Sequence, residues 1–509
     1  MSGVLVRGCT LWDGTPGSVY CEGGKIARIY REEEPDLPPG AELIEANGGS
    51  LVPGLVDSHC HPFEYGWLKR SVDLRGTSNL TALRMRVSSG VLKAGPGDWV
   101  VGMGWDQEAF PGRTMPGRAD IDDLTPSNPV ALSRVCGHIG LLNTAAIRRL
   151  GLESKSGPEY ERDAAGELTG IVKETALADA LSALPRTTEK LSADLLSVEA
   201  EAAKLGLTAL HCIVSPEGFR EELSVLAGLE SEGSGSLRYR VYVPSEALGF
   251  VEEKGLRSKM SGDAVRINGV KVFTDGSLGA RTAALREPYA DDPGNSGLLR
   301  MKDSELDDLV ERADSAGYQV IVHAIGDRAV EQAVGSLSRV TGARNPRRHR
   351  IEHASLVPRD LVAKMAKHGI RAAVQPCFVT SDNWAAERLG EERARDLYPF
   401  RSMLEAGVVL SGGSDSPVEP LSPVLGMWAA MTRGGSSPGE SLTLEQALAL
   451  YSTGAWSNGF DELSLKVGSR ADFTLFDSDI GGMHPALLRK VGVLATLIGG
   501  EAAHSFGAG

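Results

Sequence analysis

Between residues 54 and 411, short apolar runs alternate with longer stretches of helical composition. Strands that are buried on both faces of a parallel sheet are almost continuously apolar, so this alternation predicts parallel βαβ units. The candidate strands occupy residues 55–59, 208–213, 238–243, 267–273, 319–323, 349–353, 371–375 and 408–411. Eight is the number of strands that closes a (β/α)8 barrel. The sequence therefore predicts an α/β fold with a TIM-like barrel over residues 54–459.

The gap between the first and second candidate strands is far longer than one helix requires. Residues 65–190 are interpreted as an inserted α+β subdomain after barrel strand one, with strand-like runs at 98–102 and 129–133. Loops that leave the carboxyl ends of barrel strands lie over the active site. The insertion is therefore expected to contribute to the substrate pocket.

The two ends of the chain share a different pattern, in which short strands are separated by glycine turns. Gly23-Gly24 marks such a turn near the amino end, and Gly499-Gly500 marks another near the carboxyl end. We expect residues 1–53 and 460–509 to pair into one small β-sandwich-like domain. Just before the second segment, Thr443 and Gln446 stand in capping-box register and predict a helix over residues 442–450.

Composition and charge exclude several classes of partner. The formal charge is −14, from 67 acidic and 53 basic residues, whereas nucleic acids and anionic membranes select for basic patches. Six cysteines are scattered without a Cys-x-x-Cys pair, which is typical of thiols in a reducing compartment. There is no signal-peptide pattern and no apolar run long enough to span a bilayer. We expect a cytoplasmic protein that acts on a small molecule. A homodimer, the commonest closed assembly, is the default expectation for its oligomeric state.

A His-x-His pair follows the first candidate strand. His59 and His61 flank Cys60, and residues i and i+2 of a strand point to the same side. Two neutral imidazoles at this spacing are close enough to share one metal ion. His-x-His is a common pattern, however, and the alternative that His59 and His61 are simply polar residues at the start of a loop accounts for it equally well.

Three further candidate ligands lie at or just beyond strand ends. His323 and His353 end the fifth and sixth runs, and Asp415 follows the eighth. Each has an ordinary explanation, as a core or capping histidine or as a helix N-cap. Their positions favour a metal site, because the carboxyl ends of all barrel strands meet at one rim. Asp415 is in addition the candidate general base.

Lys271 lies inside the fourth apolar run, where an unpaired ammonium is costly. A snorkelling or salt-bridged lysine is the ordinary explanation. The functional alternative is a lysine that reacts with CO₂ to form a carbamate able to bridge two metal ions. That reaction requires the neutral amine, which is less than ~0.1% of a lysine at its reference pKa of ~10.4, and burial lowers this pKa. Asp275, at the same strand parity, is an alternative carboxylate ligand.

These segments together resemble the amidohydrolase superfamily, specifically the amidohydrolase 3 branch that includes N-substituted formamide deformylases. The resemblance spans nearly the whole chain and rests on LVPGLVDSHCH (51–61), GVKVFTDGSLGARTAAL (269–285), VHAIGD (322–327), IEHA (351–354), SGGSDSP (411–417) and KVGSRADF (466–473). It implies one metal ion held by His59, His61 and Asp415. It also implies a second ion held by His323 and His353, with carboxylated Lys271 as the bridge, although family members with a single ion occur.

Four residues are weaker candidates for contact with the substrate. Trp105 and Asp106 lie in the motif GMGWD, and His138 follows Gly137; the resemblance places these motifs in the inserted domain. Internal packing of the insertion is the alternative for Trp105 and His138. Arg281 lies in the loop after strand four and either contacts the substrate or braces that loop. His211, at the end of strand two, is interpreted as structural.

Taken together, the sequence predicts a metal-dependent amidohydrolase that cleaves carbon–nitrogen bonds other than peptide bonds. A divalent metal, with zinc favoured by the histidine and carboxylate ligands, would activate a water molecule, and Asp415 would accept its proton. The same residues could serve hydrolysis of esters, lactams or carbamates, or a deamination. A metal-binding protein without catalysis is the alternative from another functional class.

Overall fold

The chain divides into two units in this computed structural model. One unit comprises Met1–Phe63 and Leu195–Gly509, and the other comprises Glu64–Asp194. The structure describes residues 3–31, 34–125, 127–135, 139–182, 184, 186–232, 235–342, 344–459 and 465–505.

The first unit contains a sheet of eight parallel strands, and each strand pairs with the next one along the chain. The strands are β1 Leu55–Cys60, β2 Leu207–Ile213, β3 Arg238–Pro244, β4 Val265–Phe273, β5 Gln319–Ala324, β6 Arg350–His353, β7 Arg371–Val374 and β8 Leu410–Gly412. Most of their residues are buried, and β2 and β3 are buried along their whole length. The predicted barrel is confirmed, with every strand boundary within two residues of its expected position.

Strand β8 is only three residues long, and the residues that follow it, 413–416, complete the closure of the barrel against β1; we call them the closing segment. The Asp415 amide donates to the His59 carbonyl at 2.7 Å, and the His61 amide donates to the Ser416 carbonyl at 2.8 Å. Cys60 and Ser416 form a parallel bridge. Backbone hydrogen bonds of this kind join the first and last barrel strands beside the predicted ligands.

Two small sheets, formed from both ends of the chain, lie in the same unit. One contains Val4–Thr10, Pro16–Glu22, Lys25–Tyr30 and Glu42–Glu45; the other contains Leu51–Pro53, Phe473–Phe476, Val493–Ile498 and Glu501–Ser505. Both sheets contribute side chains to one apolar cluster, which includes Val4 and Val19 of the first sheet and Phe473 and Leu497 of the second. The expected sandwich from the two chain ends is therefore present.

The second unit carries a six-stranded mixed sheet. Its strands are Val72–Asp73, Val100–Trp105, Val130–Arg134, Ile139–Leu142, Tyr160–Arg162 and Leu168–Lys173. The sequence identified only two of these, because the others are short or interrupted by glycine. Gly140 and Gly170, for example, leave no continuous β-branched run in their strands.

Helices connect the barrel strands and complete both units. The α-helices are Pro62–Arg70, Leu80–Lys93, Thr144–Leu150, Glu174–Ser182, Thr188–Lys204, Phe219–Glu232, Leu248–Glu253, Leu256–Lys259, Asp303–Ser315, Asp327–Thr341, Arg359–Lys367, Phe378–Ser381, Ala385–Leu389, Phe400–Glu405, Pro423–Thr432, Leu444–Tyr451, Thr453–Gly459 and Pro485–Leu488. Helix Leu444–Tyr451 begins with the predicted capping box: the Gln446 amide donates to Thr443 Oγ1 at 3.3 Å, and the Thr443 amide donates to Gln446 Oε1 at 2.9 Å.

Among the described helices, none has the length and apolar character needed to cross a membrane.

Gly413 allows the closing segment to approach β1. A Cβ atom at this position would lie 2.6 Å from the His59 amide nitrogen and 2.9 Å from the His59 Cβ. We therefore expect Gly413→Ala to displace the segment and to lower the free energy of unfolding by about 1–3 kcal/mol, the usual cost of overpacking. Urea denaturation measures this change.

The matched control is Gly335→Ala, an exposed helical position where an added Cβ meets nothing within 4 Å. This control should be neutral or slightly stabilising, because alanine favours the helix. Equal unfolding midpoints for Gly413→Ala and the wild type would contradict the close approach.

Candidate active site

Six candidate residues lie at the carboxyl-end rim of the barrel. His59 is in β1 and His61 follows it, Lys271 is in β4, His323 is in β5, His353 ends β6 and Asp415 follows β8. The ring centroids of His59 and His353 are 4.9 Å apart, and those of His323 and His353 are 4.5 Å apart. The structure thus brings together residues that are separated by as many as 356 positions in the sequence.

Three of these residues form a tight group of potential ligands. One ligand atom from each of His59, His61 and Asp415 lies within 4.8 Å of the other two. Asp415 Oδ1 is 3.1 Å from His61 Nε2 and 3.4 Å from His59 Nε2. Metal–ligand bonds of about 2.0–2.2 Å fit between donor atoms at these separations.

The hydrogen bonds of His323 and His353 leave one ring nitrogen of each free to act as a ligand. His353 Nδ1 lies 2.7 Å from Gln375 Oε1, and His323 Nε2 lies 3.1 Å from the Gly276 carbonyl oxygen. Both oxygens accept hydrogen bonds, so these nitrogens carry the protons. The lone pairs are therefore on His353 Nε2 and His323 Nδ1.

Lys271 is buried among the imidazoles. Its side-chain nitrogen lies 3.4 Å from His59 Nε2 and 4.9 Å from the centroid of the Phe273 ring. In the part of the chain that the structure describes, no carboxylate lies within ion-pair distance of this nitrogen. Burial lowers the pKa of Lys271 to about 8, against the opposing charges of Glu352 and Asp415. The structure therefore does not support the ordinary explanation, in which Lys271 forms a salt bridge.

The protonation states suit metal binding. Burial, together with the charge of Lys271, lowers the pKa of His59 to about 4, and burial lowers the pKa of His353 well below its ordinary value. Burial opposes ionisation of Asp415, but the surrounding imidazoles outweigh it and lower the pKa of this carboxyl. Neutral imidazoles and an ionised carboxylate are the forms that bind a divalent cation, so this set of donors fits such an ion.

Local backbone conformation also distinguishes the site. His353 and Asp415 have φ angles of 70° and 55°, in the left-handed region that residues other than glycine rarely adopt. Such conformations cluster at functional sites, where the surrounding structure holds them. Here the Asp57 carboxylate accepts hydrogen bonds from the amides of His59 at 3.0 Å and Ser414 at 3.0 Å, and so fixes the segment that carries Asp415.

Sequence reasoning missed three polar residues that contact this group. Asp57 holds the closing segment, Gln375 accepts the His353 hydrogen bond, and Glu352 accepts a hydrogen bond from His59 Nδ1. A usable signal was present for Glu352 and Asp57, because each is a charged residue inside a barrel strand that is buried along its whole length. Such residues require a partner that only the fold supplies.

Asp275, the alternative carboxylate ligand, is occupied by backbone amides. Its oxygens accept hydrogen bonds from Ile325 at 3.1 Å, Gly326 at 2.9 Å and Ala284 at 3.0 Å. His323 Nε2 also lies 3.4 Å from Asp275 Oδ1. These contacts favour a role in holding the loops after β4 and β5.

The candidate substrate contacts have other partners or lie outside the described residues. Trp105 is fully buried in the core of the second unit and donates to the Leu132 carbonyl at 3.1 Å, which favours the packing alternative. Asp106 accepts a hydrogen bond from Arg134 at 2.7 Å. Arg281 pairs with Asp291 at 2.5 Å within its own loop. His138 lies outside the described residues.

The barrel and its histidine–aspartate rim define the class of metal-dependent hydrolases. Comparisons with known proteins agree: the sequence model of the amidohydrolase family matches residues 42–504, and the chain belongs to that family. YtcJ of Bacillus subtilis (strain 168) is 31% identical over 95% of both chains. The N-substituted formamide deformylase of Arthrobacter pascens is 26% identical over 95% of this chain and 94% of its own.

A solved structure is also similar over its full length. It is that of an uncharacterised metal-dependent hydrolase from Pyrococcus furiosus, with a TM-score of 0.80 and 32% identity over 95% of this chain and 99% of that chain.

Loss of His61 should weaken metal binding. Its imidazole is one of the three closely grouped donors, so we expect His61→Ala to lower the Zn²⁺ affinity of the metal-free protein by more than about 100-fold, the upper end for loss of a residue that only supports a ligand. Competition with a chromogenic chelator measures the affinity. The control, His484→Ala, removes a histidine that caps the helix Pro485–Leu488, and it should leave the affinity unchanged. Equal affinities for His61→Ala and the wild type would exclude His61 as a ligand.

Proposed function

We propose that the protein hydrolyses an amide-like carbon–nitrogen bond, other than a peptide bond, in a small molecule. Water is the nucleophile and Asp415 is the general base. The observation that carries this proposal is the position of the Asp415 carboxylate, which contacts His61 and His59 from the end of the closing segment. Its side chain is 13% exposed, so the carboxylate is accessible to solvent at the rim while it contacts the imidazoles.

The proposed cofactor is one or two divalent ions, with zinc favoured by the nitrogen and carboxylate donors. His59, His61 and Asp415 would hold one ion, and His323 and His353 would hold the second. When bound, the metal supplies a Lewis acid that polarises the substrate carbonyl and lowers the pKa of water from 15.7 towards about 7.

Asp415 performs both proton transfers in this proposal. Its lowered pKa keeps it ionised at neutral pH, so it accepts a proton as water attacks the carbonyl carbon. The same carboxyl then donates the proton to the departing nitrogen, because an amine leaves as the neutral molecule far more readily than as an anion. The left-handed backbone at Asp415 and the Asp57 hydrogen bonds hold the carboxylate in place for this exchange.

Lys271 is proposed to react with CO₂ and to bridge the two ions as a carbamate. The support is its position: a buried amine 3.4 Å from His59 Nε2, with no described carboxylate in ion-pair distance. The Lys271 ammonium first loses a proton; the neutral amine then attacks CO₂ and loses a second proton, which leaves an anionic carbamate. Nearby positive charge favours that anionic product.

The relatives narrow the choice of substrates for a first screen. The N-substituted formamide deformylase of Arthrobacter pascens is named for the removal of a formyl group from a substituted nitrogen. N-formyl and N-acyl amines are therefore the first compounds that we would test. Esters, lactams, carbamates and amino-substituted heterocycles complete the panel, and turnover of these alone would reassign the reaction.

Asp415→Asn should retain the fold and lose turnover, because an amide cannot exchange the proton. We expect kcat on the best N-acyl substrate to fall by about 10²–10⁴-fold, the usual contribution of general acid–base catalysis. The melting temperature and metal content are measured on the same preparation. The control, Asp479→Asn, makes the same change at a carboxylate that accepts from Ser50 Oγ and the Gly481 amide, and it should turn over normally. A kcat near the wild-type value for Asp415→Asn would rule out the proton transfers.

Growth or reconstitution with ¹³C-labelled bicarbonate tests Lys271. We expect a carbamate signal in the ¹³C NMR spectrum of the metal-loaded protein and its absence in Lys271→Met, which keeps the length of the side chain without the amine. An identical spectrum for the two proteins would exclude the carbamate.

A further inference from the structure

A line of buried charged side chains leads away from the metal-site imidazoles into the barrel. Arg350 Nε donates to Glu352 Oε1 at 2.5 Å, and His59 Nδ1 donates to Glu352 Oε2. All three residues are 0% exposed. Arg350 and Glu352 are two apart on β6, so both side chains point to the same side of that strand.

Arg350 connects β6 to three other barrel strands. Its Nη2 donates to the Ser58 carbonyl of β1 at 2.9 Å. Its Nη1 lies 2.8 Å from His211 Nδ1 of β2 and 3.3 Å from the Tyr242 hydroxyl of β3. The guanidinium therefore has hydrogen-bond partners on four strands and is fixed in position.

This arrangement is costly for a barrel interior, which branched apolar residues ordinarily fill. A buried ion pair often contributes less stability than apolar residues of the same volume, so its presence is weak evidence of a role in stability. The contact that the pair makes with His59 indicates another role. Glu352 binds Nδ1 of His59, whereas Asp415 and Lys271 lie near Nε2 of the same ring.

We propose that Glu352 and Arg350 are positioning residues for His59. This inference rests on the proposed metal-dependent function. The Glu352 carboxylate only accepts hydrogen bonds, so it keeps the His59 proton on Nδ1 and leaves the Nε2 lone pair facing the metal donors. Arg350 holds the carboxylate and so fixes the rotation of the imidazole. The carboxylate also makes the imidazole a stronger electron donor.

His353 shows what a neutral partner provides. Its Nδ1 donates to Gln375 Oε1 at 2.7 Å, so an amide can hold an imidazole of this site. An amide also carries an NH₂ group, however, and after rotation it would donate to Nδ1 and favour the opposite tautomer. Glu352→Gln gives His59 such an amide partner, with almost no change in side-chain volume.

The test is the affinity of the metal-free protein for Zn²⁺, measured by chelator competition, together with the visible absorption of the Co²⁺-substituted protein. We expect Glu352→Gln to lower the affinity by about 10- to 100-fold, as is usual for the partner of a metal-binding histidine. The Co²⁺ spectrum should change, because it reports the geometry of the ligands. Should Glu352→Gln fail to fold, Arg350→Met/Glu352→Gln removes both charges and leaves no unpaired buried ion; we expect the same loss of affinity from it.

The matched control is Asp472→Asn, which neutralises another buried carboxylate. Asp472 accepts two hydrogen bonds from Arg238, at 2.7 and 3.1 Å, and has no contact with the metal site among the interactions described. This control should lose stability while keeping the wild-type affinity and spectrum. An unchanged affinity and spectrum in the Glu352 variants would overturn the positioning role. A wild-type protein that binds no metal would instead overturn the proposed function itself.

Discussion

The candidate site depends on the closure of the barrel between its first strand and the segment after its last one. Two backbone hydrogen bonds, from Asp415 to His59 and from His61 to Ser416, join parts of the chain that are more than 350 residues apart. Because these hydrogen bonds involve the predicted ligands themselves, closing the barrel brings His59, His61 and Asp415 together. Asp57, which accepts from the amides of His59 and Ser414, secures the same junction from inside.

Burial at this junction has an electrostatic consequence. Withdrawal from water lowers the pKa of His59, His353 and Lys271 and so favours their neutral forms, whereas the neighbouring imidazoles lower the pKa of the Asp415 carboxyl and favour its ionised form. Polar side chains without hydrogen-bond partners are costly in a protein interior. The cost is offset by hydrogen bonds on the remote nitrogen of each ring, to Glu352 for His59 and to Gln375 for His353. These hydrogen bonds leave the lone pair on the other nitrogen of each ring.

The barrel was predictable because the sequence repeats one physical requirement eight times. Each parallel strand is buried on both faces, so most are short apolar runs, and the carboxyl ends of all eight meet at one rim. His323, His353 and Asp415 were recognised by their position at those ends. Glu352, Asp57 and Arg350 were not, since a charged residue in a buried strand indicates only that it needs a partner, and the partners lie on other strands or in the closing segment. Four strands of the second unit were not predicted, because two are only two or three residues long and glycine interrupts the apolar runs of the other two.

Anomalous X-ray scattering from crystals of the metal-loaded protein, collected above and below the absorption edge of the metal, tests the central claim most directly. We expect an anomalous peak between His59 Nε2, His61 Nε2 and Asp415 Oδ1, at about 2.0–2.2 Å from each atom. A fully loaded crystal whose only peaks lie away from these three atoms would contradict it.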